Sequence, residues 1–261
     1  MEGIPGAMPI KYARRLTDRR RSKRSNRQLG LCLAFIAGAA NAGGFLAVQQ
    51  YTSHMTGILS SVADNLVLGK SDLALGGLGG LLSFVSGAIS STLLINFSRR
   101  RLLHSQFALP LALEAALLLC FGVLGARLME VPGFFVPLTV MLLCFIMGLQ
   151  NAIITKLSNA EIRTTHVTGM VTDIGIELGK ALYVNRHERA NEIPVHANRE
   201  RLRINALLVG CFFAGGVSGA FGFKHFGFLS TVPLAALLLT LAIVPMVDDL
   251  RLSWWLWRRR R

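Results

Sequence analysis

Residues 163–180 read RTTHVTGMVTDIGIELGK, which is too polar for an ordinary membrane helix and yet lies inside a very hydrophobic chain. The centre of this stretch, His166-Val167-Thr168-Gly169, has a counterpart at His54-Met55-Thr56-Gly57. An element of the form Gly-x-x-Asn-Ala precedes each copy, at residues 38–42 and 148–152, and a Gly-Lys pair follows each copy. The chain therefore reads as two related halves.

The composition indicates the class of protein. Of the 261 residues, 52% are apolar and only 16% are charged, and long apolar runs recur, so we expect a polytopic helical membrane protein. The net charge of +14 is concentrated in a basic arm at residues 11–27 and in the final four arginines. Such clusters predict cytoplasmic segments that meet anionic lipid headgroups. They do not favour nucleic-acid binding, because no aromatic-interleaved platform accompanies the arm.

Six apolar spans can be drawn, and they divide the chain into four parts. A basic cytoplasmic tail (1–28) precedes a first membrane repeat (29–128) and a second one (129–247), and a cytoplasmic Trp/Arg tail (248–261) closes the chain. The spans are predicted at about residues 29–48, 73–97, 107–128, 132–154, 204–223 and 228–247. The Gly76-x-x-x-Gly80 and Gly215-x-x-x-Gly219 spacings predict close helix approaches.

The positive charges predict the topology. With six crossings, the basic arm, Arg99–Arg101, the arginine-rich loop at 185–203 and the tail all face the cytoplasm. Eight crossings would place Arg99–Arg101 outside, against the positive-inside rule. The predicted fold is an all-α membrane protein of six transmembrane helices, arranged as two inverted three-helix repeats. Each repeat contains an interrupted or re-entrant His-x-Thr-Gly helix, and both termini lie on the cytoplasmic side of the membrane.

Inverted repeats with interrupted helices place a binding site near the membrane midplane, where half-helix N-termini present free N–H groups. Thr52-Ser53 and Thr164-Thr165 are predicted N-caps of the two half-helices. Asn41 and Asn151, with Gln150, could bond the returning segment, although interhelical contact accounts for them equally well. The substrate-binding candidates are His54, Thr56, Gly57, His166, Thr168, Gly169, Asn41, Gln150 and Asn151.

Four acidic residues are candidates for ion coupling. Asp173 and Glu177 fall seven and eleven residues after His166, on nearly the same helical face. Glu114 lies within an apolar span, where an ionisable group is costly and usually functional. Alternatives remain: Asp173 and Glu177 could meet water at the cytoplasmic surface, Glu114 could pair with an unidentified neighbour, and Asp64 could be a cap or face a vestibule.

Enzyme signatures are missing from the sequence. There is no Gly-x-Ser-x-Gly or His-Glu-x-x-His motif, and the Gly-Lys-Ser at 69–71 lacks the first glycine of a phosphate-binding loop, whose place Asp64 takes. The four cysteines lie in apolar runs without metal-type spacing. We therefore predict no catalytic residue, no metal and no cofactor.

Four motifs resemble those of the YoaK-like family, bacterial multi-pass inner-membrane proteins of unknown function. They are Ala37-Gly38 with Asn41-Ala42, His54-x-Thr56-Gly57, Gly148-x-Gln150-Asn151-Ala152 and the RTTHVTG stretch at 163–169. The resemblance covers roughly residues 30–247 and implies a location in a bacterial inner membrane but no substrate. This chain departs at Asn41, where the family often has aspartate, and at Ile58, where it often has asparagine. Loss of that acid implies weaker ion coupling in the first half.

The favoured function is a secondary transporter or channel-like permease for a small polar or anionic solute, with a midplane site formed by the two His-x-Thr-Gly segments. The alternative is a non-transporting membrane protein, such as an assembly partner or a sensor. An intramembrane enzyme using the histidines as acid and base is disfavoured, because no nucleophile or metal set accompanies them. The expected partners are the lipid bilayer and a small solute, and a homo-oligomer is left open.

Overall fold

The computed structural model describes residues 23–101, 106–127, 132–158, 164–183 and 195–259, and every regular element within them is helical. Most of the predicted N-terminal tail and of the arginine-rich loop lies outside these residues. A short 3-10 helix, Gly227–Ser230, joins the last two α-helices. The α-helices are α1 Lys23–Val48, α2 Met55–Val67, α3 Ser71–Arg100, α4 Ala108–Arg127, α5 Pro132–Leu157, α6 Val167–Leu182, α7 Arg199–Phe226 and α8 Thr231–Arg259.

Five helical stretches in the described residues are long and apolar enough to cross a membrane. The fifth, Arg199–Ile243, has 45 residues and contains α7 and most of the apolar part of α8. The chain turns between them at Gly227, whose φ of 58° is readily adopted only by glycine. The chain is therefore a multi-pass, all-helical membrane protein in the part described.

Helix ends differ from those predicted. We expected the arginine-rich loop to run to residue 203, but α7 begins at Arg199 because the Asn198 side chain accepts a hydrogen bond from the backbone N–H of Arg201 (3.0 Å). Helix α1 extends back to Lys23, into the predicted tail. Helix α8 continues to Arg259, so the predicted C-terminal tail at 248–261 is helical over most of its length.

Two pairs of helices pack most closely, α1 with α7 and α3 with α5. Glycine permits each contact: a Cβ on Gly38 of α1 would overlap the backbone carbonyl of Phe212, and a Cβ on Gly148 of α5 would overlap that of Phe84. Gly215 and Gly87 make the same kind of contact in the reverse direction, against the carbonyl oxygens of Phe35 and Phe145 respectively. Helix backbones can approach this closely only where no side chain intervenes.

The Gly-x-x-x-Gly predictions are half right. Gly215 and Gly219 both lie against the backbone of α1, as expected. In α3 Gly80 faces Cys144 and Val140 of α5, as expected, but nothing described lies close to Gly76, and the tight backbone contact is made by Gly87. The spacing of small residues therefore identified the correct helices and one of the two α3 glycines, but not the turn at which α3 and α5 approach most closely.

The contacts also give the relative directions of the helices. Asn26, near the start of α1, donates a hydrogen bond to the carbonyl of Leu157 at the end of α5 (3.0 Å), so α1 and α5 are antiparallel. Contacts of Gly79 with Met141 and of Gly87 with Phe145 show that α3 and α5 are parallel. In the same way, α1 runs parallel to α7.

Helices α4 and α8 complete the bundle. They are antiparallel, because Gly122 meets Thr231 while Gly125, further along α4, meets Phe228. Phe228 also forms T-shaped contacts with Phe121 and Phe223, at centroid distances of 5.6 and 6.2 Å. This aromatic cluster holds the turn between α7 and α8 against α4.

Candidate functional site

The two His-x-Thr-Gly segments each start a short helix, α2 and α6. His54 and His166 are the N-cap residues, and neither side chain makes a cap hydrogen bond. The prediction that Thr52-Ser53 and Thr164-Thr165 cap these helices is therefore wrong. Their side chains are used in a different way, because Ser53 and Thr165 bond to asparagines of the preceding long helices.

These asparagine contacts set the depth at which α2 and α6 begin. Ser53 donates to Asn41 Oδ1 at 2.8 Å, and Thr165 donates to Asn151 Oδ1 at 2.7 Å. Asn41 is seven residues before the end of α1 and Asn151 six before the end of α5, which corresponds to about 10 Å and about 9 Å. Each segment thus returns about two turns into the bundle before its helix starts, and the predicted bonds from Asn41 and Asn151 are confirmed.

Each short helix then runs beside the long helix that follows it. Val62 and Ile58 of α2 contact Gly77 of α3. Asp173 and Glu177 of α6 bond to α7 and to the residue just before it. The two segments therefore pack on different helices.

They also start at different levels. Gly44 of α1 faces Leu143 of α5, and Asn26 of α1 bonds the carbonyl of Leu157, so Asn41 and Asn151 are offset by five to nine residues along this antiparallel pair. The offset corresponds to about 7 to 14 Å along the axis.

Each segment start contains a buried threonine whose hydroxyl group has no hydrogen-bond partner among the described residues. Thr52 and Thr164 are both 0% exposed, and the Oγ1 atom of each is unpartnered in this part of the chain. The first turns of α2 and α6 also carry N–H groups that the helix itself cannot satisfy. Buried hydroxyls and free N–H groups at a helix start are the groups that bind a small polar or anionic molecule.

The histidines and following threonines lie on the accessible side of these helices. Thr56 and Thr168 are exposed in the isolated chain, and His54 and His166 are at least partly accessible. Gly57 lies under the His54 ring, and a Cβ there would displace the ring, which lies 2.5 Å from its position. Gly169 has open space around it, so the second copy does not share this constraint.

Glu114 has the partner that sequence could not identify. The carboxyl group is fully buried, and Gln150 Nε2 donates a hydrogen bond to Glu114 Oε1 at 2.7 Å. Glu114 Oε2 and Gln150 Oε1 have no partner among the described residues. Gln150 therefore bonds Glu114 and not the returning segment, while its neighbour Asn151 bonds Thr165. The carboxyl group of Glu114 is therefore connected to the second segment through Gln150 and Asn151, which are adjacent residues of α5.

Asp173 and Glu177 join α6 to α7. Glu177 is 2% exposed and accepts hydrogen bonds from Lys180 Nζ (2.9 Å) and from the backbone N–H of Asn198 (2.6 Å). These bonds lower the pKa of Glu177, a residue outside the five apolar stretches, with that from Lys180 having the largest effect. Asp173 bonds Arg201 at 3.1 Å. In the first copy the matching residues are Ser61 and Asn65, which bond to each other instead.

Replacing Glu177 with alanine is expected to loosen α6, because the variant loses the hydrogen bond from the backbone of Asn198, which ties α6 to the residue just before α7, and the bond from Lys180 within α6 itself. We expect amide hydrogen exchange in α6 to rise by about ten-fold. The matched control is Asp64→Ala in α2, where the carboxylate is exposed and has no partner among the described residues. Unchanged exchange in Glu177→Ala would show that these bonds do not hold α6 in place.

Comparison with known proteins gives a family. The family described as "Protein of unknown function (DUF1275)" matches residues 29–244, which include both His-x-Thr-Gly segments. The chain belongs to this family. It is also 30% identical over 162 residues to the UPF0700 transmembrane protein YoaK of Bacillus subtilis (strain 168), covering 61% of this chain and 69% of YoaK. No solved structure matches the chain. Membership of the DUF1275 family agrees with the resemblance found in the motifs and with an integral membrane protein.

Proposed function

We propose that this DUF1275 protein is a secondary transporter or permease for a small polar or anionic solute. The observation that carries the proposal is the matched start of α2 and α6. Each begins inside the bundle after a return segment, is bonded to an asparagine of the preceding long helix, and contains a buried threonine hydroxyl without a partner in the described part of the chain. Irregular backbone at membrane depth is tolerated where it is buried in protein or lines a wet cavity.

The helix pairing supports an inverted repeat with six crossings. Helix α1 packs on α7 as α5 packs on α3, through corresponding glycines and phenylalanines, and α1 is antiparallel to α5. The two halves would then be related by a pseudo-two-fold axis in the membrane plane, as in many secondary transporters. The positive charges at the start of α1 and the end of α3 favour a cytoplasmic location for both chain termini.

In this proposal the two segments form two successive binding positions along one path, and not a single shared binding site. His54 and Thr56 would bind solute nearer the outer side, and His166 and Thr168 nearer the cytoplasmic side. The offset of about 7 to 14 Å between Asn41 and Asn151 suits passage of a small solute between two successive positions. Free N–H groups at both helix starts favour a polar or anionic solute over a cation.

Glu114 is the residue that we propose for proton coupling. It forms no ion pair with any described residue, and it is linked to the second segment through Gln150 and Asn151. An ionisable group at membrane depth is costly and is usually retained for function. Asp173 and Glu177 are weaker candidates for coupling, because their oxygens already bond to residues of α6 and to the start of α7.

Two-sided thiol labelling tests the proposal. In a background where Cys32, Cys120, Cys144 and Cys211 are replaced, single cysteines would be introduced by Thr56→Cys and Thr168→Cys. We expect an impermeant thiol reagent to label Thr56→Cys from the outer side only and Thr168→Cys from the cytoplasmic side only. Both positions are exposed, and neither side chain bonds a described residue in a way that the substitution would remove.

The controls for this labelling are Val85→Cys in α3 and Val217→Cys in α7. These side chains are 48% and 55% exposed in the isolated chain but lie on apolar helix faces. They should resist labelling from both sides, since a thiolate does not form in lipid. If Thr56→Cys and Thr168→Cys resist labelling equally, the path is absent, and if both label from one side, the inverted arrangement is wrong.

A second candidate is a non-transporting membrane protein, such as an assembly partner or a sensor. The observation that favours it is that Asp173 and Glu177, predicted for coupling, are engaged in bonds between α6 and the start of α7. Proteoliposome uptake of a panel of small anions, compared with Glu114→Gln, distinguishes the two. A transporter gives uptake with the wild type, which Glu114→Gln loses if Glu114 couples transport to protons, and the alternative gives no uptake with either protein.

A further inference from the structure

A groove of about 520 Å³ lies between the starts of α1 and α7, away from both His-x-Thr-Gly segments. Its lining residues nearest the helix starts are Arg27, Arg199, Arg203 and Glu200, which we call the upper wall. About one turn further along the same helices lie apolar residues that include Leu31 and Leu207, which we call the lower wall. Because both helices enter their apolar stretches here, at Asn26 and at Arg199, the groove lies at the edge of the membrane.

The charges in the groove do not cancel. Arg27 forms an ion pair with Glu200 at 2.5 Å, while Arg199 and Arg203 form no ion pair with any described residue. No described residue therefore compensates two of the positive charges in the groove, and these charges lie next to its apolar lower wall. A free phosphate would use only the upper wall, whereas a phospholipid would use both, with its phosphate at the arginines and an acyl chain along the leucines.

The opposite end of the bundle shows that the fold alone does not produce this groove. The two halves can be aligned by placing Gly38 of α1 on Gly148 of α5 and Gly215 of α7 on Gly87 of α3. In this alignment the positions of Arg27, Arg199 and Arg203 are occupied by Pro137, Ser71 and Leu75 respectively. The same helix pairing at that end therefore lacks all three positive charges. These three arginines occur at one end of the bundle only. By the positive-inside rule this end lies at the cytoplasmic side of the membrane, where the leaflet is anionic.

We infer that the groove between α1 and α7 is a specific binding site for one anionic phospholipid of the cytoplasmic leaflet. Arg199 and Arg203 bind the phosphate, the Arg27–Glu200 pair closes one side, and Leu31 and Leu207 contact an acyl chain. The inference rests on the membrane location of the protein and not on its proposed transport activity. A lipid held here connects the starts of α1 and α7, which belong to different halves of the chain.

Native mass spectrometry of the full-length protein in a neutral detergent tests this site, with phosphatidylglycerol and phosphatidylcholine as the probes. Each arginine charge near an anionic headgroup is worth about a five-fold change in affinity, so the R199Q/R203Q variant should bind the first phosphatidylglycerol about 30-fold more weakly. The matched control is R100Q/R101Q, which removes two exposed charges at the end of α3, on the same side of the bundle. We expect the control to bind as the wild type does.

Three results would overturn the inference. Equal losses in R199Q/R203Q and R100Q/R101Q would indicate diffuse attraction to positive charge, and no loss in R199Q/R203Q would show that the groove does not bind lipid. Displacement of the lipid by millimolar inorganic phosphate would assign the groove to a soluble anion. A Leu207→Asn variant, which keeps every charge, should still weaken binding of the long-chain lipid if an acyl chain occupies the groove. Far-UV circular dichroism confirms that each variant is folded.

Discussion

Gly148→Ala is expected to lower the thermal midpoint of the purified protein by about 10 °C. A Cβ at this position would overlap the backbone carbonyl of Phe84, and a backbone atom cannot move aside as the end of a flexible side chain can. Helices α3 and α5 would have to separate along their whole contact, which costs about 3 kcal/mol. The measurement is thermal unfolding in neutral detergent, followed by circular dichroism.

The chain provides matched controls for this substitution. Gly76 in α3 and Gly210 in α7 also lie within apolar stretches, but a Cβ on either would enter open space. Gly76→Ala and Gly210→Ala should shift the midpoint by only about 2 °C, and upwards, because alanine is the better helix former. If Gly148→Ala is as stable as these controls, the contact between α3 and α5 is not the one described.

Gly38→Ala extends the same test to the proposed repeat. Gly38 meets the carbonyl of Phe212 as Gly148 meets that of Phe84, so the two variants should lose the same stability within about 1 kcal/mol. A large loss for Gly148→Ala with none for Gly38→Ala would show that the halves do not pack in the same way. The inverted repeat would then lose its main support.

Sequence predicted the class of the protein and the approximate position of each long helix in the described residues, because an apolar run of membrane length strongly favours a transmembrane helix. It did not predict which helices would pair. Phe84 with Gly87 and Phe212 with Gly215 look alike in sequence, but nothing local shows that each contacts the first helix of the other half. Helix pairing depends on contacts between residues far apart in the chain, and a single sequence does not record them.

The N-caps show why local preference was insufficient at the candidate site. Ser and Thr are good caps in water, where the side chain otherwise has only solvent to bond. Inside an apolar bundle the Asn41 and Asn151 side chains also need partners, and Ser53 and Thr165 satisfy them. The histidines take the cap positions as a result. The sequence did contain the signal, since each asparagine occurs at the same place in its own half.

The second large effect concerns Glu114, where Gln150→Leu is expected to lower the unfolding free energy by about 2 kcal/mol or more. The substitution removes the hydrogen bond from Gln150 to Glu114, leaving a fully buried carboxyl group without a partner among the described residues. A buried polar group that loses its partner keeps its full desolvation cost. Thermal unfolding in neutral detergent measures the loss.

The double variant Glu114→Met/Gln150→Leu completes a mutant cycle with Gln150→Leu and Glu114→Met. Replacing both partners by apolar groups of similar size removes the buried polar atoms altogether, so most of the lost stability should return. The coupling between the two substitutions should be about 1–2 kcal/mol. Strictly additive losses would show that Glu114 and Gln150 do not interact in the folded protein.

Glu114→Gln separates stability from the proposed coupling. The variant keeps a hydrogen-bonding side chain of nearly the same shape opposite Gln150, so its stability should stay within about 1 kcal/mol of the wild type. It cannot exchange a proton. If Glu114 is retained for coupling, solute uptake driven by a pH gradient is lost in Glu114→Gln, while equilibrium exchange of the solute continues. If Glu114 only packs the bundle, both activities survive in Glu114→Gln and both fall in Gln150→Leu together with stability. The Glu114 carboxyl group would then join α4 to α5 at the cost of its desolvation, since Glu114→Met/Gln150→Leu provides the same contact without a buried polar group.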